Sequence, residues 1–315
     1  GGMIRMAITA SMVKELRELT GAGMMDCKKA LSETDGDMDK AIEFLREKGL
    51  AAAEKKAGRI AAEGVIDTNV SEDGKVASIV EVNSETDFVA KNDKFKEYVA
   101  AVAAQAAKTN ASNIDEFLEE KWELDPTKTV KEELSSMIAI IGENMNIRRF
   151  EKLVSENGFI TSYIHGGGRI GILVELESDV VNEEVKEAGK NIAMQIAAMS
   201  PKYISRNDVA EDFIAHEKEI IKAQIKNDPA NASKPENIIE KMIEGRLNKE
   251  LKEICLLDQV YVKDGDMNVA KYLESVSKQV GTTITVKHFV RFETGEGLEK
   301  KTEDFAAEVA KQMGL

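Results

Sequence analysis

The chain has 315 residues, 43% of them hydrophobic, enough for roughly two domains with filled cores. Its 43 Lys and Arg stand against 57 Asp and Glu, a net charge of -14 that repels phosphate backbones, and the densest basic group, Lys55-Lys56 with Arg59, is no segregated stripe, so direct nucleic-acid binding is not expected. No apolar run approaches the roughly 18 residues of a membrane span, so a cytoplasmic protein is expected, with Cys27 and Cys255 as buried thiols in a reducing compartment.

Residues 9–50 read as a module of three short helices. Met12, Val13, Leu16 and Leu19 recur at helical spacing, Thr20-Gly21-Ala22-Gly23 stops that run, and residues 24–31 restart it with Cys27, Ala30 and Leu31 on one side. After a break at Asp35-Gly36, Asp37 is placed to cap a third helix carrying Met38, Ala41, Ile42 and Leu45, and Gly49 suits its C-terminal turn. A unit of about 40 residues is near the lower limit for folding alone, so it reads as a recognition module attached to something larger. Residues 51–63 read as a helical linker.

An internal repeat follows. Gly64-Val65-Ile66 opens one copy and Gly158-Phe159-Ile160 the other, and Ile79-Val80-Glu81-Val82 aligns with Leu173-Val174-Glu175-Leu176 at the same spacing of 94 residues. Beyond that point Phe95-Lys96-Glu97 matches Val185-Lys186-Glu187 at a spacing of 90, so the first copy holds four extra residues within 84–92. Each copy reads as strand, turn, strand, loop, helix. Residues 65–70 and 76–82 flank an Asp73-Gly74 hairpin signal, residues 159–164 and 170–176 flank His165-Gly166-Gly167-Gly168-Arg169, and helices are expected over 93–108 and 182–199. Strand pairs with helices covering one face make an α+β fold. Between the copies, residues 110–129 form a connection, 130–142 a helix, and 146–150 an edge strand leading into the second copy.

The second copy is interrupted at 207–257 by two helices joined through Asn227-Asp228-Pro229 and Pro235, an antiparallel hairpin that either projects, with a homodimer contact as one use, or lies on its own core. Residues 282–292 return to strand alternation and 302–311 close the chain as a helix. The expected units are 9–50, 51–63, a core subdomain over 64–142, a second over 143–206 with 258–295, the hairpin 207–257, and a C-terminal module over 296–315.

Chemistry-bearing motifs are few. The three histidines, at 165, 216 and 288, have no metal-ligand spacing, and no nucleophile elbow, phosphate loop or dinucleotide fingerprint is present, so neither a metal nor a cofactor is expected. The glycines after His165 suit a hairpin turn needing positive φ. Extra residues on a repeated scaffold are candidates for function, because loops tolerate insertion while rigid elements position it. Within them Glu85 and Asp87 read either as a carboxylate pair for an enzyme or, with Thr86, as the cap of a short turn. Phe88, a large apolar ring beside an acid in an aromatic-poor chain, suits a protruding wedge.

Several long segments in order carry a family resemblance: TASMVKELR from Thr9, TGAGMMDCKKAL from Thr20, ETDFVA from Glu85, NMNIRR from Asn144, HGGGRIG from His165 and DFAAEV from Asp304. From about Thr9 to the C-terminus the chain closely resembles the bacterial elongation factor Ts family. The resemblance implies a guanine-nucleotide exchange factor, not a bond-making enzyme, that binds elongation factor Tu in its GDP form and promotes GDP release. It implies that Thr86, Asp87, Phe88 and Val89 enter the partner's nucleotide domain, with Phe88 as wedge and Asp87 disturbing the magnesium site. It further implies a three-helix, UBA-like N-terminal module gripping the GTPase through Lys14, Met24, Met25 and Lys28, although either Met suits a core equally well. His165 would touch another domain of the partner, Asp304 and Phe305 the GTPase, and hairpin 207–257 would serve dimerisation. A ubiquitin-type binding module is the rival from the N-terminal helices alone, but it leaves 84–92 unexplained.

Overall fold

The computed structural model describes residues 7–301 and 305–314. The N-terminal module consists of α1 (Ala10–Thr20), α2 (Met24–Glu33) and α3 (Met38–Lys56). Thr9 accepts the Met12 amide to start α1, Gly21 ends it at φ 68°, and Asp37 accepts the Lys40 amide to start α3. Val13, Leu16, Cys27, Ala30, Leu31 and Ala41 form its buried core, and both cysteines of the chain are free and buried.

The remaining elements run β1 (Glu63–Val70), β2 (Val76–Ser84), α4 (Asp87–Ala90), α5 (Asp93–Ala106), α6 (Ile114–Glu119), β3 (Lys121–Trp122), β4 (Asp125–Thr129), α7 (Val130–Ile141), β5 (Met145–Val154), β6 (Gly158–His165), β7 (Ile170–Glu177), α8 (Glu183–Met199), α9 (Glu211–Asn227), α10 (Glu236–Ile254), α11 (Val269–Val280), β8 (Thr285–Glu293) and α12 (Phe305–Gln312). The expected end of α3 at Gly49 and the separate linker over 51–63 are not observed. Helix α3 runs through Gly49 to Lys56, and Glu63 already belongs to β1. Gly49 is buried against α7, beside the Ser135 backbone, and lies inside the helix rather than at its end.

Mixed helix and antiparallel sheet make the fold α+β, as expected. One three-stranded sheet has the order β1-β2-β5 and the other β6-β7-β8, all pairs antiparallel. The edge strand expected over 146–150 is β5; it lies at the edge of the first sheet, paired along β2, and its partner was not anticipated. Helices α5 and α7 cover one face of the first sheet through Val80, Val82, Phe95, Val99, Val102, Leu134 and Ile138. Helices α8 and α11 cover the second sheet through Ile172, Val174, Leu176, Ile192 and Leu273. The free faces meet across Ile66, Ala77, Ile79, Ile160, Leu173, Val290 and Phe292.

The repeat reaches further than its first half. Gly64 pairs with Asn83 as Gly158 pairs with Glu177, and each central strand carries a bulge at the matching place, between Glu81 and Val82 and between Glu175 and Leu176. Asn92 and Asn182 cap α5 and α8 alike. Past the helices the spacing becomes 139: Thr129 and Asn268 cap α7 and α11, Gly142 and Gly281 end them at φ 87° and 75°, and β5 and β8 complete the sheets. A buried glutamine is repeated too. Gln105 donates to the Lys121 carbonyl and accepts the Glu123 amide, and Gln195 does the same to Val260 and Val262. Residues 110–129 therefore hold α6, β3 and β4 rather than a bare connection, and α11 was not anticipated.

Helices α9 and α10 interrupt the second copy between α8 and the segment at Val260–Val262 that Gln195 holds. They are antiparallel, cross-linked by Lys218–Glu244 at 3.0 Å, and they bury Ile221, Ile225, Ile239, Ile243, Leu247 and Leu251 against each other and against Cys255. Among the described residues no helix is long and apolar enough to cross a membrane.

Candidate functional site

The four extra residues of the first copy are helix α4. Between Ser84 and the cap residue Asn92 the chain makes one additional turn, Asp87–Ala90, whereas the second copy passes from Ser178 to the cap residue Asn182 directly. Thr86 is its N-cap and accepts the Val89 amide at 3.4 Å. Val89 and Ala90 pack on the core of the first subdomain, which turns Phe88 outward, and Phe88 is 80% exposed. Burying a Phe ordinarily stabilises a protein by about 1.5 to 3 kcal/mol, and this ring leaves that contribution unused within the chain.

Glu143, just beyond α7, accepts the amides of Glu85 and Thr86, each at 3.0 Å, and the Thr86 hydroxyl at 2.6 Å. Glu85 in turn accepts the Asn144 amide at 2.7 Å and faces Arg59 at 3.5 Å. The Asn144 side chain donates to the Arg59 carbonyl at 2.7 Å. Asp87 pairs with Lys91 at 2.9 Å, and that hydrogen-bonded ammonium holds its carboxyl below the usual carboxylate range. Glu85 and Asp87 thus have separate partners and do not share a proton or a ligand. Among the described residues no group of three or more His, Cys, Asp and Glu is arranged to hold a metal.

The other anticipated residues fall in three places. Met24 and Met25 are 58% and 75% exposed at the start of α2, and neither belongs to the module core. Lys14 on α1 and Lys28 on α2 are exposed, Lys14 lying 3.9 Å from Glu18. The turn before α2 is tied to the subdomain that bears α4, since Lys94 of α5 donates to the Gly21 carbonyl at 3.3 Å and Gly21 faces Ile140 of α7. His165 ends β6, exposed, its Nδ1 2.9 Å from the Tyr163 hydroxyl. Gly166, Gly167 and Gly168 all take positive φ, as the turn requires. Gly168 accepts the Ile66 amide at 2.8 Å, near the start of β1, and β1 begins opposite Ser84 where β2 runs out toward α4. Asp304 lies outside the described residues, and Phe305 opens α12.

The chain leaving β8 reaches the same end of the first sheet. The Thr294 amide bonds the Arg169 carbonyl at 2.9 Å and the Gly295 amide bonds Glu81 at 2.8 Å. Glu81 is fully buried and also receives Arg149 at 2.7 Å, Arg148 at 3.1 Å and Asn83 at 2.9 Å. Neither the cluster of Glu81 with Arg148 and Arg149 nor the separate contacts of Glu143 were anticipated. The only sequence signal was that Asn144 to Arg149 fell inside a long family-like segment.

With that geometry in hand, the comparisons are consistent along the chain. The family model described as Elongation factor TS matches residues 85–296. A protein named Elongation factor Ts from Clostridium novyi (strain NT) is 57% identical over 306 residues, covering 97% of this chain and 99% of that relative. Its namesake from Clostridium perfringens (strain ATCC 13124) is 57% identical over 307 residues, covering 98% and 99%, and that from Clostridium botulinum (strain ATCC 19397) is 54% identical over 306 residues, covering 97% and 98%. A duplicated α+β core with a helical turn added to one copy, matched by relatives over nearly its whole length, belongs to the elongation factor Ts family.

Proposed function

We propose that this chain is a translation elongation factor of the cytoplasm that binds elongation factor Tu in its GDP form and promotes GDP release, without making or breaking a bond itself. The observation that carries the reading is convergence. The α4 turn with Phe88, the three-glycine turn after His165 and the segment leaving β8 attach toward one end of the first sheet, and the turn leading into Met24 and Met25 is held by α5 and α7, the helices on either side of α4.

Phe88 enters the nucleotide domain as a wedge while Asp87, Thr86 and Val89 accompany it, and Asp87 disturbs the magnesium site. Lys14, Met24, Met25 and Lys28 grip the GTPase domain, Met side chains suiting an adaptable surface. His165 contacts a further domain of the partner, and the closing helix near Asp304 and Phe305 touches the GTPase. By linkage, a factor that favours the nucleotide-free partner weakens nucleotide binding by the same ratio. The three-helix module is UBA-like in this reading, and the α9–α10 hairpin is a dimerisation element. An enzyme using Glu85 and Asp87 gains no support, because each carboxylate is already engaged elsewhere.

The test mixes the chain with elongation factor Tu carrying fluorescent GDP and follows release. Acceleration in proportion to added factor is expected; release at the unassisted rate would dismiss the reading.

A further inference from the structure

A four-residue helix does not hold itself, because nucleation costs more than one turn returns. Phe88 is too exposed to fix its own position. The packing of Val89 and Ala90 sets where α4 rests, but the start of the turn, with the amides of Glu85 and Thr86 unpaired by the helix itself, is set from outside by Glu143. Its carboxylate accepts three hydrogen bonds there, of the charge-assisted kind that is stronger than a neutral contact. Glu85 returns the contact by accepting the Asn144 amide, so each of the two segments is held by the other's acid.

The repeat supplies an internal control. In the second copy Gly281 ends α11 in the same left-handed conformation as Gly142 ends α7. Ser178 donates to the carbonyl two residues ahead at 2.6 Å, as Ser84 does at 3.0 Å. Yet the residue after Gly281 is Thr282, the counterpart of Glu85 is Asp179, and no helical turn precedes Asn182. The fold therefore completes the helix end and the serine turn without a glutamate. The acid and α4 occur together in one copy and are absent together in the other.

We infer that Glu143, with Glu85 as its reciprocal partner, is the positioning residue of the exchange loop, delivering Phe88 on a turn already ordered before the partner arrives. This rests on the exchange reading above. A loop ordered in advance does not spend binding energy on its own ordering, and removing the clamp leaves only a fraction of molecules competent at the wedge.

Glu143→Thr is the informative variant, since the second copy already folds with threonine at that place. In the free chain, amide hydrogen exchange at Glu85 and Thr86 is expected to speed up while the sheets stay protected and the unfolding midpoint is retained. With elongation factor Tu holding fluorescent GDP, the maximal release rate is expected to fall about tenfold with little change in the half-saturating factor concentration, because the α1–α2 and His165 contacts remain. Glu143→Gln, which keeps one acceptor oxygen, should recover part of the loss. In a Phe88→Ala background, Glu143→Thr should change the rate less than about twofold, because it acts through the ring. A wild-type maximal rate for Glu143→Thr, or the same tenfold loss with and without Phe88, overturns the assignment. Failure of the unaltered chain to release GDP overturns the exchange reading instead, and the amide exchange then still decides whether Glu143 orders the loop.

Discussion

Replacing Phe88 by Ala should separate stability from function. The ring is 80% exposed and outside every buried cluster, so its loss should move folding stability by no more than about 0.5 kcal/mol, the usual range for a surface substitution. If the ring is buried in the partner's nucleotide domain, the same truncation forfeits about 1.5 to 3 kcal/mol of contact there, or roughly ten- to a hundredfold in the rate of GDP release. The assay is stopped-flow release of fluorescent GDP from elongation factor Tu against factor concentration, paired with thermal unfolding of the free factor. Val89→Ala is the counterweight, because that side chain packs on the core and should lower the unfolding midpoint visibly. A Phe88→Ala factor that releases GDP as fast as the unaltered chain refutes the wedge. One that melts several degrees lower refutes the premise that the ring is spare to the fold.

Glu81→Ala removes the acceptor on which Arg148, Arg149, Asn83 and the Gly295 amide converge, and should cost about 3 kcal/mol or more in urea unfolding. Gln195→Leu strands the Val260 carbonyl and the Val262 amide and should cost about 2 kcal/mol; Gln105→Leu should behave alike, and a neutral result at either would discredit the shared clamp. Glu175 is buried with one carboxylate oxygen unpaired, and burial pushes its carboxyl above the ordinary range against the pull of Lys287 and His288. Its folded value lies above its unfolded one, so the folded chain holds the extra proton and loses stability as pH rises from the unfolded value through the folded one. Glu175→Gln should erase that decline, becoming the more stable form near neutrality, as read by urea unfolding across a pH series; parallel curves for the two chains would refute the burial argument.

Local chemistry determines much of the fold. Asp37 and Thr86 read as helix caps and Gly21 as part of a helix stop, and the strands flanking Asp73-Gly74 and the three glycines after His165 could pair within each hairpin with little choice, since the turn sets their register. The repeat was legible as far as sequence spacing stayed regular, and the break in that spacing marked α4. What the sequence left open depended on groups distant in the chain. Gly49 has the signature of a helix end, and only the approach of α7 makes it a contact inside one. Strand β5 follows α7 and precedes the second hairpin, and nothing local says that it pairs backward with β2.

The site divides the same way. Thr86-Asp87-Phe88-Val89 were visible as residues the fold could spare, and the capping role of Thr86 and the exposure of Phe88 turned out to be two aspects of one turn. Glu143 carried no signal of its own. It lies 57 residues from Thr86 in the chain and acquires a role only where α7 ends beside the start of α4. Capping, turn and pairing signals act within a few residues and are written in the sequence. A carboxylate that orders a loop by accepting its amides does so through proximity in space, and tertiary packing alone decides that.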